Sequence, residues 1–189
     1  MPAMSLISST REKRLWTWTL IVVLAIYASL GLEISIASIL IERGLVTPIY
    51  IVGMLLIVAT AVSQGFSLRP RGLEVAVALG IVGAYLLLLT RLPIPEERTH
   101  LIEYGIVGAF AYEALLERRN NGRTVYVPAI LAVIAASGLG IIDECIQYFL
   151  PNRIFDLRDM VFNVLAATMA VSACKLMAGV RRPGAPGSR

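Results

Sequence analysis

Long, uninterrupted apolar runs constrain this chain more than any other feature of its sequence. Most of the 189 residues fall into runs of about 18 to 20 residues, the length at which an α-helix crosses the hydrocarbon core of a bilayer. Hydrophobic residues make up 57% of the chain and charged residues 16%, against roughly 45–50% and 25% in soluble domains. The sequence therefore excludes an ordinary soluble globule and predicts an all-α, polytopic transmembrane helical bundle.

The apolar runs predict about six spans. The first covers residues 15–32, and five more follow at 48–66, 73–90, 100–116, 126–149 and 160–180. The intervening segment 33–47 contains Glu42 and Arg43 near its end, and this part is too polar for another crossing. It either lies along the membrane interface or extends the first helix. Residues 181–189 contain prolines and glycines and are predicted to form a flexible cytoplasmic tail.

The distribution of charge predicts the topology. If residues 1–14 and 181–189 are both cytoplasmic, the inner segments hold 12 of the 17 lysines and arginines. The outer segments hold the other five, which are Arg43, Arg91, Arg98, Arg153 and Arg158. Cytoplasmic loops of membrane proteins carry an excess of basic residues, so this split supports six spans with both termini in the cytoplasm. The net charge of +4 follows from membrane topology and does not indicate nucleic-acid binding.

Three groups of polar residues lie where the last three predicted spans meet the outer face. They are His100, Glu103 and Tyr104; then Asp143, Glu144 and Gln147; then Arg153, Asp156, Asp159 and Asn163. Within each group the members are spaced as neighbours on one helix face. Because an ionisable group at the bilayer centre costs about 2.5–3.5 kcal/mol, we expect these side chains to face one another. The short loop 150–159 makes the last two spans antiparallel neighbours.

A structural role accounts for the same residues equally well. Arg153 and Arg158 would pair with nearby carboxylates to hold the helix ends and seal the loop. Asp159 would cap the sixth span by accepting hydrogen bonds from its first amides. His100, which is the single histidine of the chain, would be a hydrogen-bonded residue at the interface.

Two further features have ordinary structural interpretations. Glu113, Glu117 and Arg118 are typical of the inner end of a helix. Gly138 and Gly140 predict a point of close packing between helices. Neither feature indicates a function.

The polar groups resemble the VanZ-like family of membrane proteins, named for the accessory protein that confers low-level teicoplanin resistance. The resemblance rests on ERTHLIEYGIVGAFAYEAL at 97–115 and DECIQYFLPNRIFDLRDMVFN at 143–163. The family pattern falls on His100, Tyr104, Glu144, Gln147, Pro151, Arg153, Asp156, Asp159 and Asn163. Arg98 stands where the family usually has lysine. The resemblance covers a four-span domain, residues 73–180, and leaves the two spans and interfacial segment of 15–72 outside it.

The resemblance implies an integral protein of the bacterial inner membrane that acts at or near the cell envelope. It makes an effect on glycopeptide susceptibility an expectation for the family and does not establish resistance for this chain. The family has no settled biochemical activity. The sequence has no CxxC and no repeated His/Cys spacing, so we expect no cofactor and no zinc or iron–sulfur centre. Our leading hypothesis is a protein without catalytic activity whose polar outer pocket binds a lipid-linked or cell-wall component. In this hypothesis Arg153 contacts an anion or phosphate, because its planar guanidinium pairs with phosphate oxygens.

Two alternatives remain open. The first is a membrane-embedded enzyme acting on a lipid head group, with His100 as the general acid or base and Glu144, Asp156 and Asp159 holding a divalent cation. The sequence lacks the nucleophile-elbow, phosphate-loop and HExxH patterns that would support it. The second is a small transporter component, which ranks last because the ionisable residues gather at one face and no inverted repeat is visible.

Overall fold

Five α-helices make up the described part of the chain. The computed structural model describes residues 7, 9–45, 48, 72–91, 95–150 and 155–181. Its helices are α1, Thr10–Glu42; α2, Gly72–Arg91; α3, Pro95–Asn120; α4, Pro128–Phe149; and α5, Leu157–Arg181. The all-α prediction is confirmed over these residues.

Three of the five helices are long and apolar enough to cross a membrane. They are the first part of α1, Thr10–Leu30, the whole of α4, and α5 as far as Val180. A shorter apolar helix, Gly72–Leu88, lies within α2. The predicted span at 48–66 lies, apart from residue 48, outside the described residues. The described helices therefore support a multi-pass membrane protein and do not establish six spans.

Helix α1 is much longer than the predicted first span. It runs from Thr10 to Glu42 and so continues through most of the segment 33–47. Of the two interpretations of that segment, the backbone shows the extension of the first helix. With a rise of about 1.5 Å per residue, a helix of 33 residues is about 50 Å long, well beyond the roughly 30 Å of bilayer hydrocarbon.

Helix α3 lies at the centre of the bundle. It packs against α1, α4 and α5, most extensively against α5, while α2 packs against α5. Leu101, Tyr104 and Val107 of α3 are almost completely buried. Although the sequence predicts α3 as one span among six, it is not among the three candidate spans. Three surrounding helices shield α3 from lipid, so it can carry polar side chains at lower cost than a lipid-facing helix.

Close approach between helices depends on two glycines. A Cβ atom at Gly108 of α3 would lie 3.1 Å from Cα of Ala167. A Cβ atom at Gly140 of α4 would lie 2.6 Å from Nδ2 and 2.7 Å from Cβ of Asn163 on α5. At Gly138 a Cβ atom would meet nothing within 4 Å. Of the two glycines predicted as a packing point, Gly140 alone is in close contact.

The turn between α3 and α4 is fixed by its residue types. Gly122 adopts φ +79°, which a glycine tolerates without steric cost. The N–H of Arg123 donates to the carbonyl of Arg118 at 3.3 Å, the long hydrogen bond of a Schellman helix end. Pro128 occupies the first turn of α4, where its missing N–H costs nothing. The chain thus reverses within a few residues and brings α4 alongside α3.

Candidate functional site

The N-terminal ends of α3 and α5 and the C-terminal end of α4 meet at one end of the bundle. Because α4 runs antiparallel to both neighbours, residues near its end come level with residues near their starts. Four ionisable side chains converge there: His100 from α3, Asp143 and Glu144 from α4, and Asp159 from α5. We call these four residues the His100 cluster.

The imidazole of His100 lies between three carboxylates. Its Nε2 atom is 3.8 Å from Oε1 of Glu144 and 3.8 Å from Oδ2 of Asp159. Its Nδ1 atom is 3.9 Å from Oδ2 of Asp143. All three distances exceed the roughly 2.7–3.2 Å of a hydrogen bond. The contacts are therefore electrostatic, and the space between Nε2 and its two carboxylates is larger than a direct hydrogen bond requires.

Glu144 is held in place from two directions. The side-chain amide of Gln147, one turn further along α4, donates to Oε1 at 3.2 Å. The backbone N–H of Asp156 donates to Oε2 at 3.3 Å. The Glu144 side chain is completely buried. Its orientation is thus fixed by both its own helix and the start of the next one.

Asp143 and Asn163 are buried polar residues with incomplete hydrogen bonding. Both are 0% exposed, and neither polar atom of either side chain has a partner at standard hydrogen-bond geometry among the described residues. Tyr104 and Gln147 nevertheless lie beside Asp143. Buried polar groups are nearly always satisfied in folded proteins, so these two positions call for an explanation beyond packing.

The structure brings together most of the predicted site residues. Tyr104 stacks on His100 with ring centroids 6.0 Å apart, and Glu103 is half-buried one turn from His100. Gln147 reaches the cluster through Glu144. Arg153 lies outside the described residues, and its contacts with an anion or with a carboxylate stay predictions.

The cap of α5 differs from the prediction. Asp156, which directly precedes α5, accepts a hydrogen bond from the backbone N–H of Arg158 at 2.8 Å through Oδ1. This is the contact of an N-terminal capping residue. The sequence assigned the cap to Asp159, which instead faces His100. The reason is that α5 begins at Leu157, three residues before the predicted start.

A second polar cluster lies at the opposite end of the bundle. Its members are Ser9, Arg11 and Glu12 from the start of α1 and Glu113, Glu117 and Arg118 from the last turns of α3; we call it the Glu117 cluster. Arg11 pairs with Glu113 at 3.0 Å and with Glu117 at 2.9 Å. The Ser9 hydroxyl donates to Glu117 at 2.9 Å and accepts from the N–H of Glu12 at 3.0 Å.

Sequence reasoning missed this cluster and one further contact. The pattern Ser-x-x-Glu at Ser9 and Glu12 is the sequence signature of a capping box, so the start of α1 was readable. The pairing with α3 was not, because its partners are more than 100 residues apart. The same holds for Tyr27 of α1, whose hydroxyl donates to the carbonyl of Leu139 at 2.9 Å, one turn before Asp143.

A model of the VanZ/LLP1 family matches residues 2–178, nearly the whole chain. The chain belongs to the VanZ/LLP1 family. The match starts well before the residues 73–180 on which the resemblance was based, so it also includes the residues of the first predicted spans. Membership of VanZ/LLP1 agrees with the apolar helices, and the chain is a membrane protein of that family.

The VanZ/LLP1 chain is also similar to a protein of the fission yeast Schizosaccharomyces pombe that is described as uncharacterised. The two are 31% identical over 110 residues, which is 56% of this chain and 64% of the yeast protein. The match thus spans less than two thirds of the yeast protein. No solved structure matches this chain.

Proposed function

We propose that this VanZ/LLP1 protein binds the polar head group of a lipid-linked envelope component at the His100 end of its bundle. The proposal includes both termini in the cytoplasm, which places the His100 cluster at the outer face. It assigns residues 73–180 as the ligand-binding domain. An effect on glycopeptide susceptibility would follow if the ligand were a cell-wall precursor.

The burial of incompletely bonded polar groups carries this proposal. A buried polar group without its hydrogen bond costs about 1–3 kcal/mol, and a charged one costs more. Asn163 is in this situation among the described residues, and Asp143 is so in part, because Tyr104 and Gln147 lie beside its carboxylate. Asp143 belongs to the cluster, and Asn163 lies one turn beyond Asp159 on α5. A ligand with hydroxyl or amide donors would satisfy these side chains at the end of the bundle where a membrane-anchored head group lies.

The yeast relative favours one class of ligand. Polyprenyl phosphates and their sugar derivatives are made by bacteria and by yeast, whereas peptidoglycan is made by bacteria alone. A lipid-linked phosphate therefore suits a family with members in both. Arg153, in the loop between α4 and α5, is the proposed phosphate contact, because a guanidinium donates two parallel hydrogen bonds to phosphate oxygens.

An enzymatic role is the second candidate, and one observation favours it. His100 and two carboxylates approach one another closely in a nearly buried site, as the groups of an acid–base centre do. In this version His100 transfers a proton to or from the head group that the site binds. Binding without turnover distinguishes the first proposal from the second.

The proposed function is tested by measuring binding of a short-chain polyprenyl phosphate to the full chain in detergent. Glu144→Gln retains the size of the side chain and removes its charge, and Arg153→Ala removes the phosphate contact. We expect both to change the affinity at least about ten-fold, the scale of one hydrogen bond to a charged group. The matched control is Glu113→Gln, which makes the same change in the Glu117 cluster.

The control should bind as the wild type does. Unchanged affinity in both test variants, or no saturable binding by the wild type, would overturn the proposal. Folding is checked in parallel by elution as a single species on size exclusion. Release of inorganic phosphate or of a free prenol during the assay would favour the enzymatic version.

A further inference from the structure

We propose that His100, Glu144 and Asp159 bind a divalent metal ion. Each offers one ligand atom, and these atoms lie within 4.8 Å of one another. The imidazole Nε2 faces both carboxylates at 3.8 Å. A tetrahedral ion bound at about 2.1 Å from its ligands holds them about 3.4 Å apart. The two distances from Nε2 would close by about 0.4 Å, and the distance between the two carboxylate oxygens, which is at most 4.8 Å, by up to about 1.4 Å.

The position of Asp143 is the independent observation behind this assignment. A histidine that binds a metal through one ring nitrogen almost always donates the other N–H to a carboxylate or carbonyl. Here Nε2 faces the two candidate ligands, and Nδ1 faces Asp143 at 3.9 Å. Asp143 is completely buried, and its oxygens lack a partner at standard geometry within the described residues. Its Oδ2 atom is close to Nδ1, the ring nitrogen that does not face the two candidate ligands, and Tyr104 and Gln147 also lie beside this carboxylate.

The charge of the cluster fits a divalent ion. Asp143, Glu144 and Asp159 together carry three negative charges when ionised, among four side chains that are at most 16% exposed. A histidine that binds an ion through Nε2 is neutral and keeps its proton on Nδ1. An ion of charge +2 therefore offsets two of the three carboxylate charges. One nitrogen and two carboxylate oxygens suit Mn²⁺ or Zn²⁺ better than a thiol-selective ion.

The other contacts of the site are those expected of metal ligands. Glu144 receives hydrogen bonds from Gln147 and from the backbone of Asp156, which fix its orientation. Three protein ligands leave at least one coordination position open, as in zinc sites that bind an exogenous ligand. The role of that open position rests on the proposed function: it would accept a phosphate oxygen of the lipid head group.

The closing experiment uses the metal alone, without lipid. The full chain is purified with a histidine-free tag, stripped with a chelator and titrated with Mn²⁺ or Zn²⁺. We expect saturable binding of one ion per chain. Pulsed electron paramagnetic resonance of the Mn²⁺ form should show coupling to an imidazole nitrogen, and because the chain contains one histidine, that coupling identifies His100.

Variants distinguish the ligands from Asp143. Asp159→Asn should weaken Mn²⁺ binding about ten-fold or more, and Asp143→Asn, which acts through His100, about 10- to 100-fold. Asp143→Asn should keep the nitrogen coupling at saturating Mn²⁺, whereas His100→Ala should abolish it. Glu113→Gln is the control and should bind as the wild type. If a variant does not fold, the wild-type nitrogen coupling still decides the proposal.

Binding of neither ion, or binding without nitrogen coupling, overturns the metal site. The lipid assay separates this failure from failure of the proposed function. Polyprenyl phosphate binding that is equally tight in EDTA and in Mn²⁺ shows a lipid site without a bridging cation. One bound Mn²⁺ with the histidine signature and no lipid affinity supports the metal site and ends the lipid proposal.

Discussion

The polar clusters at the two ends of the bundle differ in how their charged side chains are paired. In the Glu117 cluster, two arginines face three carboxylates, and Arg11 makes ion pairs of 2.9–3.0 Å. In the His100 cluster, one histidine faces three carboxylates at 3.8–3.9 Å. The first end is assembled from complementary charges at hydrogen-bond distance. The second brings three carboxylates around one imidazole at distances longer than a hydrogen bond.

The comparison indicates which end contributes stability and which is available for function. Complementary pairs in contact tie α1 to α3, although exposed pairs of this kind are individually worth only about 0–1 kcal/mol. Buried like charges oppose folding, and such arrangements are typical of binding and catalytic sites. Complementary ion pairs therefore join helices at the Glu117 end, whereas the His100 end is the part of the bundle to which the proposed function assigns a ligand.

The substitution expected to destabilise the His100 end most adds a single methyl group at Gly140. Gly140→Ala places a Cβ atom within 3 Å of three side-chain atoms of Asn163, and we expect a loss of about 3 kcal/mol from overpacking. Thermal melting in detergent measures it. Gly138→Ala is the control, since its Cβ meets nothing within 4 Å. Equal melting temperatures for the two variants would contradict the close approach of α4 and α5.

Loss of one cation should weaken the Glu117 end. Arg118→Met keeps the apolar length of the side chain but removes its contact with Glu12, a completely buried carboxylate 3.4 Å away. We expect a loss of about 1–2 kcal/mol, because a buried charge loses a partner. Arg119→Met, at the exposed neighbouring position, is the control and should melt as the wild type does. A smaller effect at 118 than at 119 would refute the assignment.

Removing one negative charge from the His100 cluster should leave the stability of the fold unchanged or increase it, in contrast to Arg118→Met. Glu144→Gln removes one of three neighbouring negative charges, and its amide oxygen can still accept the N–H of Asp156. In chelator-treated protein we expect a melting temperature equal to or above that of the wild type. A decrease as large as that of Arg118→Met would show that the charge of Glu144 is a structural requirement.

The smallest expected effect is a pH dependence of the Glu117 end. Hydrogen bonds from Ser9 and Asn121, followed by the contact with Arg11, lower the pKa of Glu117 below its ordinary value of 4.5. A lowered pKa stabilises the fold above pH 4.5, and this contribution is lost as the pH falls through the lower value. Melting curves of wild type and Glu117→Gln should therefore converge below pH 4.5. A constant difference down to pH 3 would exclude this contribution.

Local spacing in the sequence predicted the His100 end and not the Glu117 end. His100, Asp143, Glu144 and Asp159 each occupy a helix end, and the short connections force those ends together. Ser9 and Arg11 meet Glu117 across more than 100 residues, and no local pattern encodes which helix covers another. The central position of α3 was likewise invisible, because hydropathy does not distinguish a helix facing lipid from one facing other helices. Gly140 and Gly138 could not be distinguished from the sequence for the same reason, because the difference depends on which face of α4 packs against α5.

The length of α1 has a consequence for access to the His100 end. Helix α1 starts beside Glu117, and at Tyr27 it is level with Leu139 of α4. The fifteen residues from there to Glu42 carry the helix about 22 Å further along its axis. Helix α1 therefore continues past the level of Asp143, which is one turn beyond Leu139, although it supplies no member of the cluster. The part of α1 beyond Tyr27 is thus long enough to limit access to the His100 end from its side of the bundle.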